Sequence, residues 1–348
     1  MKKVYIFSTD PNKGKGGIAS SVSSFLDILS LKKVDFTLCV THKSGYSKSV
    51  NSLVFLFCII KTIFSFLWSK AMMRQEALAY IHVGPDGSLV RKIIIALISK
   101  LFGIKIFTHY HSATFQDYLA YPGLKRKGLI LLTRLSSNNL VLSEWWRSLF
   151  EYNEIERVAI VPNCINTPSE VNFDSCVKGR IFSIGRLEKS KCIDLAIKAL
   201  YKINSEFTLS IAGDGAEKKH LIDLSLELNL SDRVNFLGWV HGDNKYNLYK
   251  ESQVLVVPSK SDSFGMVFIE SLSLGCPVVI GPNPAVIAAL TGLPGVYIAN
   301  GYDSASVANA IIEAVSSNVD RQFISASCLQ RYSTLAVSEK LISSLGLK

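Results

Sequence analysis

Residues 254–280 read VLVVPSKSDSFGMVFIESLSLGCPVVI. An apolar run, a turn rich in Ser and Pro, a helix-forming stretch, a Gly stop and a second apolar run follow in order, the pattern of two parallel strands joined by a helix. The helical part carries Phe264, Met266, Val267, Phe268, Ile269, Leu272 and Leu274 around nearly its whole circumference, as a helix buried between layers does. Yet Glu270 stands in its middle, with Asp262 in the turn before it. A buried carboxylate without a partner is costly. Glu270 therefore needs either an internal ion pair or a ligand rich in hydroxyl groups. The helix start near Phe264 presents N–H groups and a positive dipole end to an anion; the structural alternative is an N-cap by Ser261, Asp262 or Ser263.

The same alternation extends outward over the chain. Apolar runs at 4–8, 36–40, 78–83, 105–108, 140–142 and 158–161 are separated by helical patterns, and a second series follows at 181–184, 207–212, 234–237, 254–257, 278–279 and 296–298. Short strands alternating with helices imply parallel sheets covered on both faces. With 348 residues, the chain has room for two such α/β domains in series. The break falls at VPNCINTPSEVNFDSC, residues 161–176, where Pro162, Asn163, Asn166 and Pro168 interrupt the periodicity.

Composition excludes several classes. The apolar fraction of 48% and the absence of low-complexity tracts argue against disorder. Seven scattered cysteines without a C-x-x-C pair, and six histidines without an H-x-x-x-H pair, suggest neither a disulfide framework nor a zinc site. A reduced, cytoplasmic setting fits. The opening MKKVYIFSTDPNKGKGG reads as a first strand running into a Gly-rich loop, not as a signal peptide. The net charge of +10 is unevenly spread: residues 1–165 carry +11 and residues 166–348 carry −1. Such asymmetry points to an anionic partner for the first half: a membrane surface, a phosphorylated ligand or nucleic acid. Residues 52–70, SLVFLFCIIKTIFSFLWSK, are interrupted by Lys61 and fall short of a full membrane span. Two readings stay open for them, a helix buried against the first sheet and a helix lying in the bilayer interface.

The opening stretch, taken from 262 to 279, resembles the E-x7-E segment of the retaining GT-B glycosyltransferases of family 4, the group 1 glycosyltransferases. Asp262 stands where the family has its first Glu, and Glu270 matches the second. SIGRLEKSKCIDLAIKAL (183–200) is similar to the family's G-R-L-x-x-x-K-G segment, with Cys192 in place of Gly. IAGDGAEKKHL (211–221) resembles its G-x-G turn, and FLGWV (236–240) the strand end beside the base. In the first half, KGKGGIASSVSSFL (13–26) is similar to the Gly-rich loop, and KIFTHYHSATF (105–115) to the H-x-H-G segment, with Ser112 for Gly. LVLSEWWRSLF (140–150) and VPNCIN (161–166) complete the order, whereas IGPNPAVIAALTGLPG (280–295) departs from the family's Gly-Gly-rich loop.

This resemblance implies an α/β chain of GT-B fold, two Rossmann-like domains facing across a cleft. Residues 1–165 would take the acceptor on the membrane side, 166–322 would bind the nucleotide sugar, and a helical segment at 323–348 would pack back on the first domain. Arg186 and Lys191 would hold the diphosphate as cations that stabilise a departing nucleoside diphosphate without a metal. Asp262 would face the donor sugar, and His111 would be the active-site histidine. Gly16, Gly17, Phe264, Gly265, Met266 and Val267 would offer backbone to sugar and phosphates, and Glu270 would bind the ribose. The implied reaction is transfer of a hexosyl group, with retention, from a UDP- or GDP-linked sugar to a lipid-linked saccharide in bacterial O-antigen or capsule synthesis. The leaving diphosphate oxygen would help to deprotonate the incoming hydroxyl on the same face. No cofactor or metal is implied, and the setting would be the cytoplasmic face of an anionic inner membrane. A sugar-nucleotide epimerase of the same fold is the alternative. A nicotinamide oxidoreductase lacks an acidic ribose reader at the right distance, since Asp35 precedes its strand, and a nucleic-acid-binding module would leave Glu270 and the motif order unexplained.

Overall fold

The computed structural model describes residues 2–11, 17–71, 76–166 and 171–347, without the side chains of 70 and 71. The chain divides into two compact units, Met1–Asn166 with Tyr332–Lys348, and Thr167–Arg331.

In the first unit, β1 (Lys3–Thr9), α1 (Gly17–Leu31), β2 (Phe36–His42), α2 (Lys48–Ala71), β3 (Ala77–Val83), α3 (Gly87–Leu101), β4 (Lys105–Tyr110), α4 (Phe115–Ala120), α5 (Leu124–Leu135), β5 (Asn138–Val141), α6 (Glu144–Tyr152) and β6 (Val158–Ile160) alternate along the chain. The strands form a parallel sheet in the order β2-β1-β3-β4-β5-β6. Val4, Tyr5, Ile6 and Phe7 are all buried, because both faces of a parallel sheet are covered. The step from β1 to β2 runs one way across the sheet and every later step runs the other. Right-handed crossovers therefore put α1 on one face and α2, α3, α5 and α6 on the opposite one.

On the α1 face, Phe25, Ile28 and Leu29 close over Val4, Ile6, Leu78, Tyr80 and Leu140. Val337 and Leu341 of the C-terminal helix complete this core, each fully buried aliphatic side chain contributing roughly 1.5–3 kcal/mol. A parallel bridge from Ile165 to Ser333 enters it. On the other face, α2 turns Cys58, Thr62, Phe66 and Ser69 inward, with the Phe66 ring edge-on to Tyr5 at 5.1 Å. Its Leu53, Leu56, Phe57, Ile60, Phe64, Leu67 and Trp68 are exposed. Burial against the sheet, one of the two readings of residues 52–70, thus fails for most of the helix's apolar side chains.

The second unit runs β7 (Arg180–Ile184), α7 (Ile193–Lys202), β8 (Thr208–Ala212), α8 (Lys218–Glu227), β9 (Val234–Gly238), α9 (Gly242–Glu251), β10 (Val254–Val257), α10 (Met266–Ser273), β11 (Val278–Ile280), α11 (Pro284–Leu290), β12 (Val296–Ile298), α12 (Ser304–Ser316) and α13 (Arg321–Tyr332). The segment expected to leave for the first unit at residue 323 stays with the second through Arg331, and α14 (Thr334–Ser344) belongs to the first. The second sheet is also parallel, in the order β12-β11-β10-β7-β8-β9. Leu255 of β10 pairs with Val278 of β11, so residues 254–280 form the strand–helix–strand unit that their pattern implies. Connections leave β7 toward β8 and return from β9 to β10 on the other side of β7. The sheet's topological switch therefore lies between β7 and β10, where open α/β sheets bind ligands beyond the carboxyl ends of their strands.

Candidate active site

Two loops meet at this switch. The first leaves β7 at Gly185 and passes through a single 3-10 turn, Lys189–Lys191; the second leaves β10 at Pro258 and enters α10. They are tied by Lys260 N donating to Ser190 O at 2.8 Å and by Ser259 Oγ donating to the same carbonyl at 3.3 Å. Lys191 Nζ donates to Asp262 Oδ2 at 2.7 Å, and both side chains are less than one-fifth exposed. The other oxygen of Asp262 accepts from the amides of Gly265 at 3.1 Å and Phe264 at 3.4 Å. Asp262 thus places its charge against the positive end of α10, the favourable end for an anion. Gly265 takes φ +85°, and a Cβ there would run into the ring of Phe268, so only glycine fits the turn. Phe264 is buried beneath it, while Met266 and Val267 open the helix at half-buried positions.

Glu270 lies on the same helix with its side chain 11% exposed. Its Oε2 accepts from Lys245 Nζ at 2.6 Å and from Tyr249 Oη at 3.0 Å. The carboxylate in the apolar helix is therefore paired, and α9 supplies both partners. Burial, and then the charge of Glu270, push the Tyr249 hydroxyl well above its ordinary range, so it remains a donor. Lys245 and Tyr249 were not among the residues anticipated from sequence. Their spacing of four places them on one face of α9, which is the signal that could have found them.

Arg186 follows Gly185 on the β7 loop, is largely exposed and pairs with Glu188 at 2.9 Å. Its loop is held by neighbouring strand ends: Gly185 N donates to Ala212 O at 3.1 Å, Leu187 N to Asp214 O at 2.9 Å, and Gly213 N to Gly238 O at 2.7 Å. A Cβ on Gly213 would fall on the carbonyl oxygen of Gly185, and one on Gly215 on that of Leu187. The G-x-G pair therefore does more than make a tight turn: it lets the β8 loop lie directly against the loop that carries Arg186. Asn283, from the segment that departs from the expected Gly-Gly loop, caps α11 with its Oδ1 and donates from Nδ2 to Lys260 O at 3.2 Å. It braces the Asp262 loop from the far side.

The remaining anticipated residues belong to the first unit. Gly16 lies outside the described residues; Gly17 is the exposed first residue of α1. His111 follows β4 and is buried, with Nε2 2.9 Å from His82 Nδ1 and a further hydrogen bond to Asn163. Burial pushes it down to about 3, so its ring is neutral. His82 and His109 are likewise held well below their ordinary value, chiefly by burial. The register of β3 and β4 sets His82 opposite His109, a cluster that sequence spacing alone did not reveal. The three rings bring ligand atoms within 4.8 Å of one another. Both His109 nitrogens are engaged, however, by Tyr80 Oη at 2.7 Å and Val161 O at 2.9 Å. The cluster is a hydrogen-bonded core network and not an open donor set.

Within the second unit, then, Arg186, Lys191 and Asp262 stand on two loops at one end of the sheet beside the start of α10, with Glu270 farther along that helix. Fixed cations beside a helix N-terminus suit a diphosphate, and a carboxylate farther along the helix suits vicinal hydroxyl groups.

The sequence pattern of the family described as "Glycosyl transferases group 1" matches residues 177–327. Over 300 residues, 80% of each chain, the protein is 28% identical to the N-acetylgalactosamine-N,N'-diacetylbacillosaminyl-diphospho-undecaprenol 4-alpha-N-acetylgalactosaminyltransferase of Campylobacter jejuni. It is 30% identical to the O-antigen biosynthesis glycosyltransferase WclY of Escherichia coli over 236 residues, spanning 62% of this chain and 65% of WclY. In fold it is similar to Anabaena HepE, solved in complex with UDP and glucose, with a TM-score of 0.71 at 16% identity over 99% of each chain. Two parallel six-stranded α/β units thus give the chain the GT-B fold, and residues 177–327, within the second unit, match the pattern of the group 1 glycosyltransferases.

Proposed function

We propose that this glycosyltransferase moves a hexosyl group, with retention, from a UDP-sugar to a saccharide carried on a lipid diphosphate, in the synthesis of a bacterial surface polysaccharide. The observation that carries the reading is the convergence of the β7 and β10 loops, which sets Lys191 against Asp262 at 2.7 Å beside the start of α10. In this reading Arg186 and Lys191 neutralise the charge that develops on the departing diphosphate, and the first-turn amides from Phe264 to Val267 add to that field. Asp262 exchanges Lys191 for hydroxyls of the donor sugar, and Glu270 accepts from the ribose. Of the first unit's residues, His111 is the active-site histidine and Gly17 offers its backbone to the donor's sugar and phosphates. Catalysis then rests on electrostatic stabilisation and positioning, with the leaving oxygen accepting the acceptor's proton and no metal required.

UDP is favoured as the carrier by the UDP-bound relative of like fold, and a lipid-linked acceptor by the undecaprenol-linked substrate in the Campylobacter relative's name. Such an acceptor places the enzyme at the cytoplasmic face of a membrane. The transferase names of the relatives favour transfer over acceptor-free epimerisation. The test is incubation with a panel of UDP- and GDP-sugars and a detergent-solubilised, lipid-linked saccharide, in excess chelator. Proton NMR then reads the anomeric configuration of the product. A new glycoside of inverted configuration would overturn retention, a strict metal requirement would overturn the charge-only mechanism, and an altered nucleotide sugar formed without acceptor would restore the epimerase.

A further inference from the structure

The helix α2 is built inside out. The side chains that it turns toward the sheet include Cys58, the small polar Thr62 and Ser69, and the single large ring of Phe66, whereas Leu53, Leu56, Phe57, Ile60, Phe64, Leu67 and Trp68 face away and are 46–69% exposed. The outward residues fall at intervals of three and four, one continuous face of the helix. Adjoining helices extend the surface. α3 exposes Val90, Ile94, Leu97 and Leu101 along one side, and α5 exposes Leu124 and Leu131. These two helices pack closely at Gly128, where a Cβ would already touch Ile93.

The charge on the three helices is of one sign. Outside the buried Lys92, α2 holds Lys48 and Lys61, α3 holds Arg91 and Lys100, and α5 holds Lys125, Arg126, Lys127 and Arg134; none of the three helices contains Asp or Glu. A second copy of this chain would bring cations against cations, and a protein partner would have to meet a broad apolar face with no carboxylate on it. A phospholipid leaflet matches both features: acyl chains for the outward apolar face, headgroup phosphates for the cations around it.

We propose that α2, with the outward sides of α3 and α5, lies embedded in the headgroup–acyl boundary of one leaflet, anchoring the protein chiefly by apolar burial. The proposal rests on the membrane-side reading above and names its surface and its physics. Contrary to the expectation from sequence, α2 is long and apolar enough to span, because the helix starts at Lys48, before the apolar run, but crossing is excluded by topology. The strands on either side of it, β2 and β3, both pair with β1 in one sheet, so both ends of the helix stay on the same side. The basic run at 125–127 is a secondary element. Lys125 is paired with Asp86 at 2.7 Å and Arg126 donates to the Leu119 carbonyl, which leaves Lys127 as the exposed residue of the three outside any such pairing among the described residues. Lys61, exposed amid the apolar face, can lay its stem along the chains and its ammonium among the phosphates.

The experiment is flotation of the full-length protein with vesicles of neutral phosphatidylcholine, at low salt and at about 1 M NaCl, where screening leaves a range of only ~3 Å. A variant combining Leu56→Ser, Phe57→Ser, Phe64→Ser and Trp68→Ser is compared; all four positions are exposed, so its melting temperature is expected to match the wild type. Wild type should float at both salt concentrations, and the variant's partition coefficient should fall on the order of a hundredfold. Binding restricted to anionic vesicles and abolished by salt would overturn apolar anchoring. A wild-type dimer in the absence of lipid, made monomeric in the variant, would assign the face to a second copy instead. Transfer to a detergent-solubilised acceptor reads the proposed reaction separately: if the variant keeps that activity while losing flotation, the surface is an anchor, and if it loses both with an unchanged melting temperature, the face serves the reaction and the anchor reading fails.

Discussion

Lys191 Nζ lies 2.7 Å from Asp262 Oδ2, and the second oxygen of that carboxylate receives the amides of Phe264 and Gly265. One side chain thus ties the turn that leads into α10 and holds the cation beside it. Removing the cation leaves the carboxylate with two amide donors, so the fold loses little, whereas a diphosphate would lose a fixed positive charge. Lys191→Ala should lower turnover on the order of a hundredfold at saturating donor while shifting the melting temperature only slightly. Steady-state kinetics with calorimetric melting checks this, and wild-type turnover in the variant would remove Lys191 from the site.

Glu270 is the residue for which a structural and a functional role differ most clearly. Glu270→Gln keeps an acceptor for the Tyr249 hydroxyl and weakens the tie to Lys245, so the protein should fold. Its affinity for UDP should drop tenfold or more, a loss of about 1.4 kcal/mol. Tyr249→Phe, which removes a buried hydrogen bond without touching a ligand, should instead cost about 1 kcal/mol of stability and leave affinity nearly unchanged. Titration calorimetry with UDP separates the two. Wild-type affinity in a destabilised Glu270→Gln protein would make the carboxylate a structural element of α10.

The order of strands and helices could be read from the sequence because parallel strands are apolar on both faces and punctuated by Gly, Pro and Asn; residues 254–280 carry that record in full. The turn carrying Asp262 was legible for the same local reason, whereas Arg186 and Lys191 were singled out by the family resemblance. The Lys245–Glu270 pair was not, since it joins neighbouring helices whose facing sides depend on sheet order. The histidine cluster depends on the register that sets His82 beside His109. The exposure of α2 was hidden too, because an apolar run reads alike whether a sheet or a lipid leaflet covers it.

Gly213 makes a steric prediction. Its φ is +135°, and a Cβ would overlap the Gly185 carbonyl oxygen, which belongs to the fixed backbone at the end of β7 and not to a side chain that can turn away. Gly213→Ala should therefore either unfold the second unit or push the Arg186 loop aside, lowering UDP affinity along with the melting temperature. Gly238→Ala tests positive φ alone, since among the described residues nothing lies within 4 Å of its Cβ position; its cost should be about 1–2 kcal/mol. A Gly213→Ala protein as stable as that control would show that close approach does not set the loop.

Lys92 is buried on α3 and donates to Thr41 Oγ1 at 2.5 Å. Burial drives its ammonium down to about 7, against about 10.4 for an ordinary lysine in the unfolded chain. Between those values the unfolded chain binds more protons than the folded one, so this group makes stability rise with pH. Below about 7 both states are protonated and the full penalty of the buried charge is present. The thiols around it bring no compensating charge at neutral pH, since burial pushes Cys39 up to about 12 and Cys58 upward as well. Those thiols act oppositely at alkaline pH, favouring unfolding once the unfolded cysteines ionise, and the comparison must cancel them. Lys92→Met does so: it removes the ammonium, keeps similar volume, and leaves Thr41 donating to Ser8 O at 2.9 Å. The variant should be more stable than wild type at pH 7, by up to a few kcal/mol, since each tenfold loss of proton affinity on folding costs about 1.4 kcal/mol. Its advantage should shrink steadily toward pH 10. Paired denaturant titrations across that range read the difference, and two parallel curves, or a variant weaker than wild type at pH 7, would mean that the Lys92 ammonium is not under strain in the folded protein.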